Sequence, residues 1–173
     1  MRTHHPRKTV AWPLVWIYAL LIVYASLYPF ENWRVQGIAP WAFLTAPLPQ
    51  YWTGFDVLSN VVGYAPFGFL LALAVHRTRR HWPAIALATL AAALLSLTLE
   101  SLQMFLPVRV PSNVDAALNT VGALVGAVTA RALEWVGLLD RWSRFRDRGF
   151  VHDASGGMAL LAVWPLALLF PVP

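Results

Sequence analysis

Apolar and polar positions follow one another along this chain in long blocks. Ala11–Phe30 runs for 20 residues without a charge. Val57–Val75 is shorter and is interrupted by Asn60, Gly63 and Pro66. Trp82–Leu106 carries one charge, Glu100, near its end. Val114–Val136 begins with Asp115 and closes near Arg131 and Glu134, and Gly157–Val172 is apolar throughout. Crossing ~30 Å of hydrocarbon takes ~20 helical residues, usually ~17–25. The first four blocks meet that length and the fifth sits at its short limit. The pattern therefore predicts an all-α protein, a polytopic transmembrane helix bundle with four core helices plus a fifth C-terminal apolar helix.

The corresponding divisions are a basic N-terminus over 1–10, a four-helix membrane domain over 11–137, a basic linker over 138–156 and a fifth membrane helix over 157–173. Arg2, Arg7 and Lys8 followed by an apolar stretch resemble a secretory leader, with Val23-Tyr24-Ala25 a weak cleavage match. The stretch stays apolar through Phe30, past that point, so it reads as a retained helix. The last residues, Phe170-Pro171-Val172-Pro173, lack a polar tail. The fifth helix is accordingly expected to open a further region of a longer natural chain.

Composition agrees with lipid as the solvent. Of the 173 residues, 58% are hydrophobic and 12% charged, against about 25% charged in ordinary globular chains. A disordered chain, a secreted disulfide scaffold and most soluble enzyme folds are excluded. The absence of cysteine removes thiolate catalysis, cysteine-ligated zinc and iron–sulfur clusters.

A net charge of +5 raises nucleic acid as a partner, but the positions of the charges point elsewhere. In a serpentine path, the N-terminal segment, the loop between the second and third blocks and the segment after the fourth lie on one side. They hold 11 of the 13 basic residues, leaving only Arg34 and Arg109 on the other. Cytoplasmic loops carry the excess of Lys and Arg, so the N-terminus is expected to be cytoplasmic in a bacterial inner membrane. Trp12, Trp82 and Trp135 fall at inner ends, and Trp33, Trp41 and Trp52 in the outer loop. Leu138–Phe150 spaces Arg141, Arg144 and Arg148 around Trp142 and Phe145, as in a helix lying on an anionic leaflet. Membrane lipid is thus the expected partner, and nucleic acid is not.

Ionisable groups within membrane helices cost at least ~2.5–3.5 kcal/mol at a helix centre and less near an end. Here Asp56 and Asn60 are four apart, Glu100 and Gln103 three apart with Ser96 four before Glu100, and Asp115 and Asn119 four apart. Each pair projects from one helical face, and all three fall at the outer ends of their helices. Arg109 lies in the short turn between helices three and four. Asp115, Asn119, Gly122 and Gly126 continue one stripe on the fourth helix, as Asp56, Asn60, Gly63 and Phe67 do on the second. Gly122 and Gly126 allow close approach of a neighbouring helix, within the chain or in a second copy. Pro66 removes a backbone donor and is expected to kink the second helix.

The same residues carry a resemblance. Ser26-Leu27-Tyr28-Pro29-Phe30, then Asp56-x3-Asn60-x3-Tyr64-x-Pro66-Phe67-Gly68-Phe69-Leu70, resembles the VanZ-like membrane family. Glu100-x2-Gln103-x5-Arg109 and Asp115-x3-Asn119-x2-Gly122-x3-Gly126 are similar to that family's second block. The resemblance spans roughly residues 10 to 136. It implies a multi-helix bacterial inner-membrane protein, of a family whose named member is associated with low-level resistance to the glycopeptide teicoplanin. It does not imply a biochemical activity.

From the residues themselves, the candidate ligand-binding set is Asp56, Asn60, Glu100, Gln103, Arg109, Asp115 and Asn119. The candidate acid or base groups are Glu100, Asp56 and Asp115. His4, His5, His76, His81 and His152 all fall on the opposite side, so no serine–histidine dyad or histidine-rich metal site is expected there, and no cofactor. Glu31, Asp56, Glu100 and Asp115 face Arg34 and Arg109 on the outer side, a net charge of −2. That sign suits an amine, sugar hydroxyls, a proton or a hard cation better than a pyrophosphate, which recruits several Arg or Lys. A purely structural reading is also open: Glu100 paired with Arg109, and Asp56 and Asp115 capping helices two and four. The aromatic, proline-broken segment Glu31–Phe55 is expected to roof the cluster from the membrane interface. Three functions follow: a binder of a lipid-linked or peptidoglycan-related ligand, an enzyme acting on such a ligand, or a small proton- or cation-coupled transporter. The binder is favoured over the enzyme, and the transporter is least favoured because the inner helix halves hold few polar groups.

Overall fold

A computed structural model describes residues 11–49, 53–78, 83–139 and 141. These residues contain four α-helices and no strand: α1 (Ala11–Leu27), α2 (Gly54–Thr78), α3 (Pro83–Gln103) and α4 (Asn113–Trp135), with one 3-10 turn at Ala42–Thr45 between α1 and α2. Helices α2, α3 and α4 are each long and apolar enough to cross a membrane. Helix α1 has 17 residues, the lower limit for a span. The basic N-terminus and the expected fifth helix over 157–173 lie outside the described residues, as does most of the 138–156 linker.

The helix ends follow from local chemistry. Thr53 and Asp56 form a capping box at the start of α2. The Asp56 carboxylate accepts from the Thr53 amide at 2.7 Å, and the Thr53 hydroxyl accepts from the Asp56 amide at 3.2 Å. Helix α3 begins on Pro83, a position where the missing N–H costs nothing. Ser112 caps α4, its hydroxyl accepting from the amides of Val114 and Asp115. That helix stops at Gly137, whose φ of 70° closes the last turn. Pro66 lies inside α2, which runs unbroken through it.

Small residues set the packing. On α3 the inward stripe is Ala84, Ala88, Ala92, Ser96 and Glu100, every fourth residue and all buried. On α4 it is Ala116, Asn119, Gly122, Ala123, Gly126, Ala127 and Ala130. A Cβ at Gly122 would fall on the Val61 backbone, one at Gly126 on the Ala65 carbonyl, and one at Gly68 on the Ala123 backbone. The glycine stripe of α4 is therefore occupied by α2 of the same chain. Close approach of small residues is how helices associate when lipid offers no hydrophobic drive between them. The outward faces carry large apolar side chains, among them Trp16, Leu20, Leu58, Leu90 and Leu94, all more than half exposed. An apolar outer shell over a core of alanine and glycine is the arrangement expected in lipid.

Candidate functional site

The start of α2, the end of α3 and the start of α4 lie at one end of the bundle, and their polar side chains converge there. Asn60 donates through Nδ2 to the Asp56 carbonyl at 3.0 Å and to Oδ1 of Asp115 at 3.1 Å, tying α2 to α4. Asn119 donates to the hydroxyl of Ser96 at 2.9 Å, tying α4 to α3. Glu100 is only 5% exposed, and its Oε2 accepts from the Ser112 amide at 2.9 Å. The inward aim of Glu100 is the continuation of the alanine stripe, one turn beyond Ser96. Glu100 and Asp115 lie near enough to interact electrostatically.

The end of the first helix is attached through its carbonyls. Gln103 donates to the Ser26 carbonyl at 2.9 Å. Arg109 donates through Nη2 to the carbonyls of Ala25 and Tyr28, at 2.9 and 2.7 Å, and through Nε to Tyr28 at 3.1 Å. Lower down, the Tyr18 hydroxyl donates to the Gly63 carbonyl at 3.0 Å. Arg109 is thus a cap on the C-terminal end of α1, where carbonyls and the helix dipole favour a cation. The Glu100–Arg109 pair of the purely structural reading does not form; Glu100 accepts from Ser112 and Arg109 donates to carbonyls. Among the described residues, the carboxylate contacts with basic side chains are at the other end of the bundle, where Glu134 meets His76 at 3.1 Å and Arg131 at 3.2 Å.

Between these elements lies a cavity of about 460 Å³. Six of the seven candidate ligand-binding residues line it: Asn60, Glu100, Gln103, Arg109, Asp115 and Asn119. Asp56 does not; its exposed carboxylate is spent on the capping box. Asp115, by contrast, is not the cap of α4, which is Ser112, and its carboxylate faces the cavity. The remaining wall comes from Ile22, Ala25 and Ser26 of α1, Ser59, Gly63 and Tyr64 of α2, and Val108 and Val110 of the turn before α4. The contribution of α1 was not legible because that helix is apolar on every face and offers no pattern to orient it. One polar atom in the wall is buried and unpartnered, Oδ1 of Asn119.

The segment 31–49 does not enter the cavity wall. It lies against the turn between α3 and α4 instead: the Arg34 amide donates to the Phe105 carbonyl at 2.9 Å, Gln36 to the Met104 carbonyl at 2.7 Å, and Asn113 to the Ala46 carbonyl at 2.8 Å. Its Val35, Trp41 and Leu48 are 82%, 66% and 73% exposed, as suits a segment resting in a membrane interface. Among the described residues no group of three or more His, Cys, Asp or Glu side chains is arranged to hold a metal ion.

A bundle of apolar helices with an alanine and glycine core and a polar chamber at one end defines a multi-pass helical membrane protein. The profile of the VanZ/LLP1 family matches residues 12–134, which takes in all four helices, and the chain belongs to that family. No curated protein and no solved structure matches the chain.

Proposed function

We propose that this VanZ/LLP1 protein binds a lipid-linked or cell-wall-related ligand in the polar cavity, on the outer side of a bacterial inner membrane, and through it affects the envelope and its susceptibility to glycopeptides such as teicoplanin. The observation that carries this reading is the cavity itself. Asn119 Oδ1 has no partner and the Glu100 carboxylate, though buried, accepts a single hydrogen bond. Buried polar atoms are ordinarily satisfied, and each exception calls for an explanation; a ligand supplies one. The orientation rests on the distribution of Lys and Arg, since the cavity end carries only Arg34 and Arg109.

An enzyme is the second reading, favoured by two carboxylates, Glu100 and Asp115, facing one chamber; one carboxyl kept protonated beside an ionised one is the arrangement acid–base chemistry uses. A conducting role finds no support among the described residues. Below the cavity the bundle is closed by Ala74, Ala88, Ala92, Ala123 and Ala127, each with no exposed surface.

The test is Glu100→Gln and Asp115→Asn in a susceptible bacterial host, scoring membrane abundance beside susceptibility to teicoplanin and to other envelope stresses. Retained abundance with loss of the wild-type phenotype supports a working cavity. Retained abundance with an unchanged phenotype in both variants refutes it.

A further inference from the structure

The hydrogen-bonding inventory of the cavity narrows what it takes. Its cationic group is engaged along one edge, since Arg109 directs Nε and Nη2 to the carbonyls of Ala25 and Tyr28. Asn60 spends both Nδ2 hydrogens, on the Asp56 carbonyl and on Asp115. Gln103 and Asn119 each direct their amide nitrogen to a protein acceptor, the Ser26 carbonyl and the Ser96 hydroxyl. Donors remain on Arg109 Nη1 and as one hydrogen each on Gln103 and Asn119, but acceptors predominate among the free groups. Each carboxylate takes one hydrogen bond, Glu100 from the Ser112 amide and Asp115 from Asn60. The unpartnered buried atom, Asn119 Oδ1, is also an acceptor, on a side chain only 5% exposed. With two carboxylates against one guanidinium, the lining carries a formal charge of −1.

From this we infer that the cavity binds a primary ammonium group, received by Glu100, Asp115 and Asn119 Oδ1. A primary ammonium brings three donors, no acceptor and one positive charge, which matches three acceptor groups and neutralises the lining. A phosphate or carboxylate would bring acceptors and negative charge to a site already rich in both. The inference deepens the proposed binding function and rests on it. The ammonium has two possible sources: the headgroup of an aminolipid, or a soluble amine such as an amino sugar of the cell wall.

The test is binding to the purified full chain, read by native mass spectrometry and by thermal stabilisation. The probes are phosphatidylethanolamine, phosphatidylcholine and phosphatidylglycerol in mixed micelles, then soluble glucosamine, N-acetylglucosamine and magnesium ion. Phosphatidylethanolamine or glucosamine is expected to bind at least about tenfold more tightly than its partner lacking N–H⁺ donors, phosphatidylcholine or N-acetylglucosamine, the equivalent of losing one charged hydrogen bond. Whichever of the two binds identifies the source. Glu100→Gln is expected to weaken that binding by a similar factor. Asn119→Asp, which adds a charge and keeps the shape, is expected to strengthen it and stands as the check if Glu100→Gln does not fold. Equal binding of the quaternary lipid, or preferential binding of phosphatidylglycerol or magnesium that Glu100→Gln abolishes, overturns the ammonium inference and leaves the binding cavity in place. Failure of every probe, together with an unchanged cellular phenotype of Glu100→Gln, overturns both.

Discussion

Replacing Gly126 by alanine tests the packing on which the bundle rests. In a helix interior, glycine to alanine stabilises by roughly 0.5–1 kcal/mol through the unfolded chain and the helix backbone. At Gly63 that gain is unopposed, because a Cβ there meets no atom within 4 Å. At Gly126 the added carbon falls on the Ala65 carbonyl, 2.7 Å from its carbon and 2.9 Å from the Phe69 amide nitrogen. Ordinary carbon contacts lie at about 3.5–4.0 Å, so α2 and α4 must part by roughly 1 Å. The opposing atoms are backbone and have no rotamer to retreat into. Overpacking of this kind costs about 1–3 kcal/mol. The propensity gain is common to both substitutions and cancels between them, leaving that 1–3 kcal/mol as the expected difference. The measurement is the heat-induced loss of monodisperse protein in detergent, followed by fluorescence-detected size exclusion, for the wild type, Gly63→Ala and Gly126→Ala. Gly126→Ala is expected to melt several degrees below Gly63→Ala. An equal or higher midpoint would refute the close approach of α2 and α4. A Gly126→Ala chain of normal stability but altered oligomeric state would show that the stripe serves a second copy instead.

Four further outcomes follow. Arg109→Gln, which removes three hydrogen bonds to the two carbonyls of Ala25 and Tyr28 at the end of α1, is expected to cost about 1.5–3 kcal/mol and to expose the end of α1 to limited proteolysis; adding Glu100→Gln is expected to restore nothing, and recovery in the double variant would mean that the two residues pair. Ser112→Ala removes the cap of α4 and is expected to cost about 1 kcal/mol, checked by the same melting assay. Asp56→Ala breaks a capping box away from the cavity, so it is expected to lower stability by about 0.5–2 kcal/mol while amine binding by native mass spectrometry stays at the wild-type level. The cysteine-free sequence makes Val35→Cys and Arg141→Cys clean topology probes: an impermeant maleimide added to whole cells is expected to label the first and to reach the second only after lysis, and the reverse pattern would invert the orientation.

The sequence exposes the parts of this fold that depend on composition and spacing. Block length predicts the helices, and the i, i+3 and i, i+4 pairs place Asn60, Glu100, Gln103, Asp115 and Asn119 at one end because α2, α3 and α4 are antiparallel neighbours. What stays hidden is whatever depends on backbone partners. Arg109 binds the carbonyls of α1, and a carbonyl leaves no trace in residue identity, so a carboxylate twelve or fewer residues away looks like the better partner. Glu100 accepts from the Ser112 amide, equally invisible. Asp56 and Asp115 are indistinguishable as acidic residues in a first helical turn; Thr53, three residues before Asp56, and Ser112, three before Asp115, give each the same cap geometry in sequence. Only the neighbour differs. Asp115 faces Asn60 and the cavity, whereas Asp56 turns back onto Thr53.

The placement of the cavity has a packing cause. Along α3 the inward residues run Ala84, Ala88, Ala92, Ser96, Glu100, and along α4 they run Ala130, Ala127, Ala123, Asn119, Asp115. At the alanine end the helices meet through small side chains and leave no room, and the cavity between them there is about 10 Å³. Towards the other end inward positions turn polar, Ser96 and Glu100 on α3 and Asn119 and Asp115 on α4, needing partners that lipid does not provide, and the cavity opens among them. Helix α1 closes that gap, and its upper attachment is made by Gln103 and Arg109, two residues that also line the cavity. The groups that hold α1 in place are therefore part of the cavity wall, and a ligand bound there would act on the docking of α1 as directly as on Glu100. A ligand that draws Arg109 or Gln103 towards itself weakens the hold on α1, and one satisfied by Glu100, Asp115 and Asn119 leaves it intact. Protection of α1 from proteolysis on adding a bound amine separates the two cases: unchanged or increased protection is expected, and increased cleavage would place the ligand on Arg109.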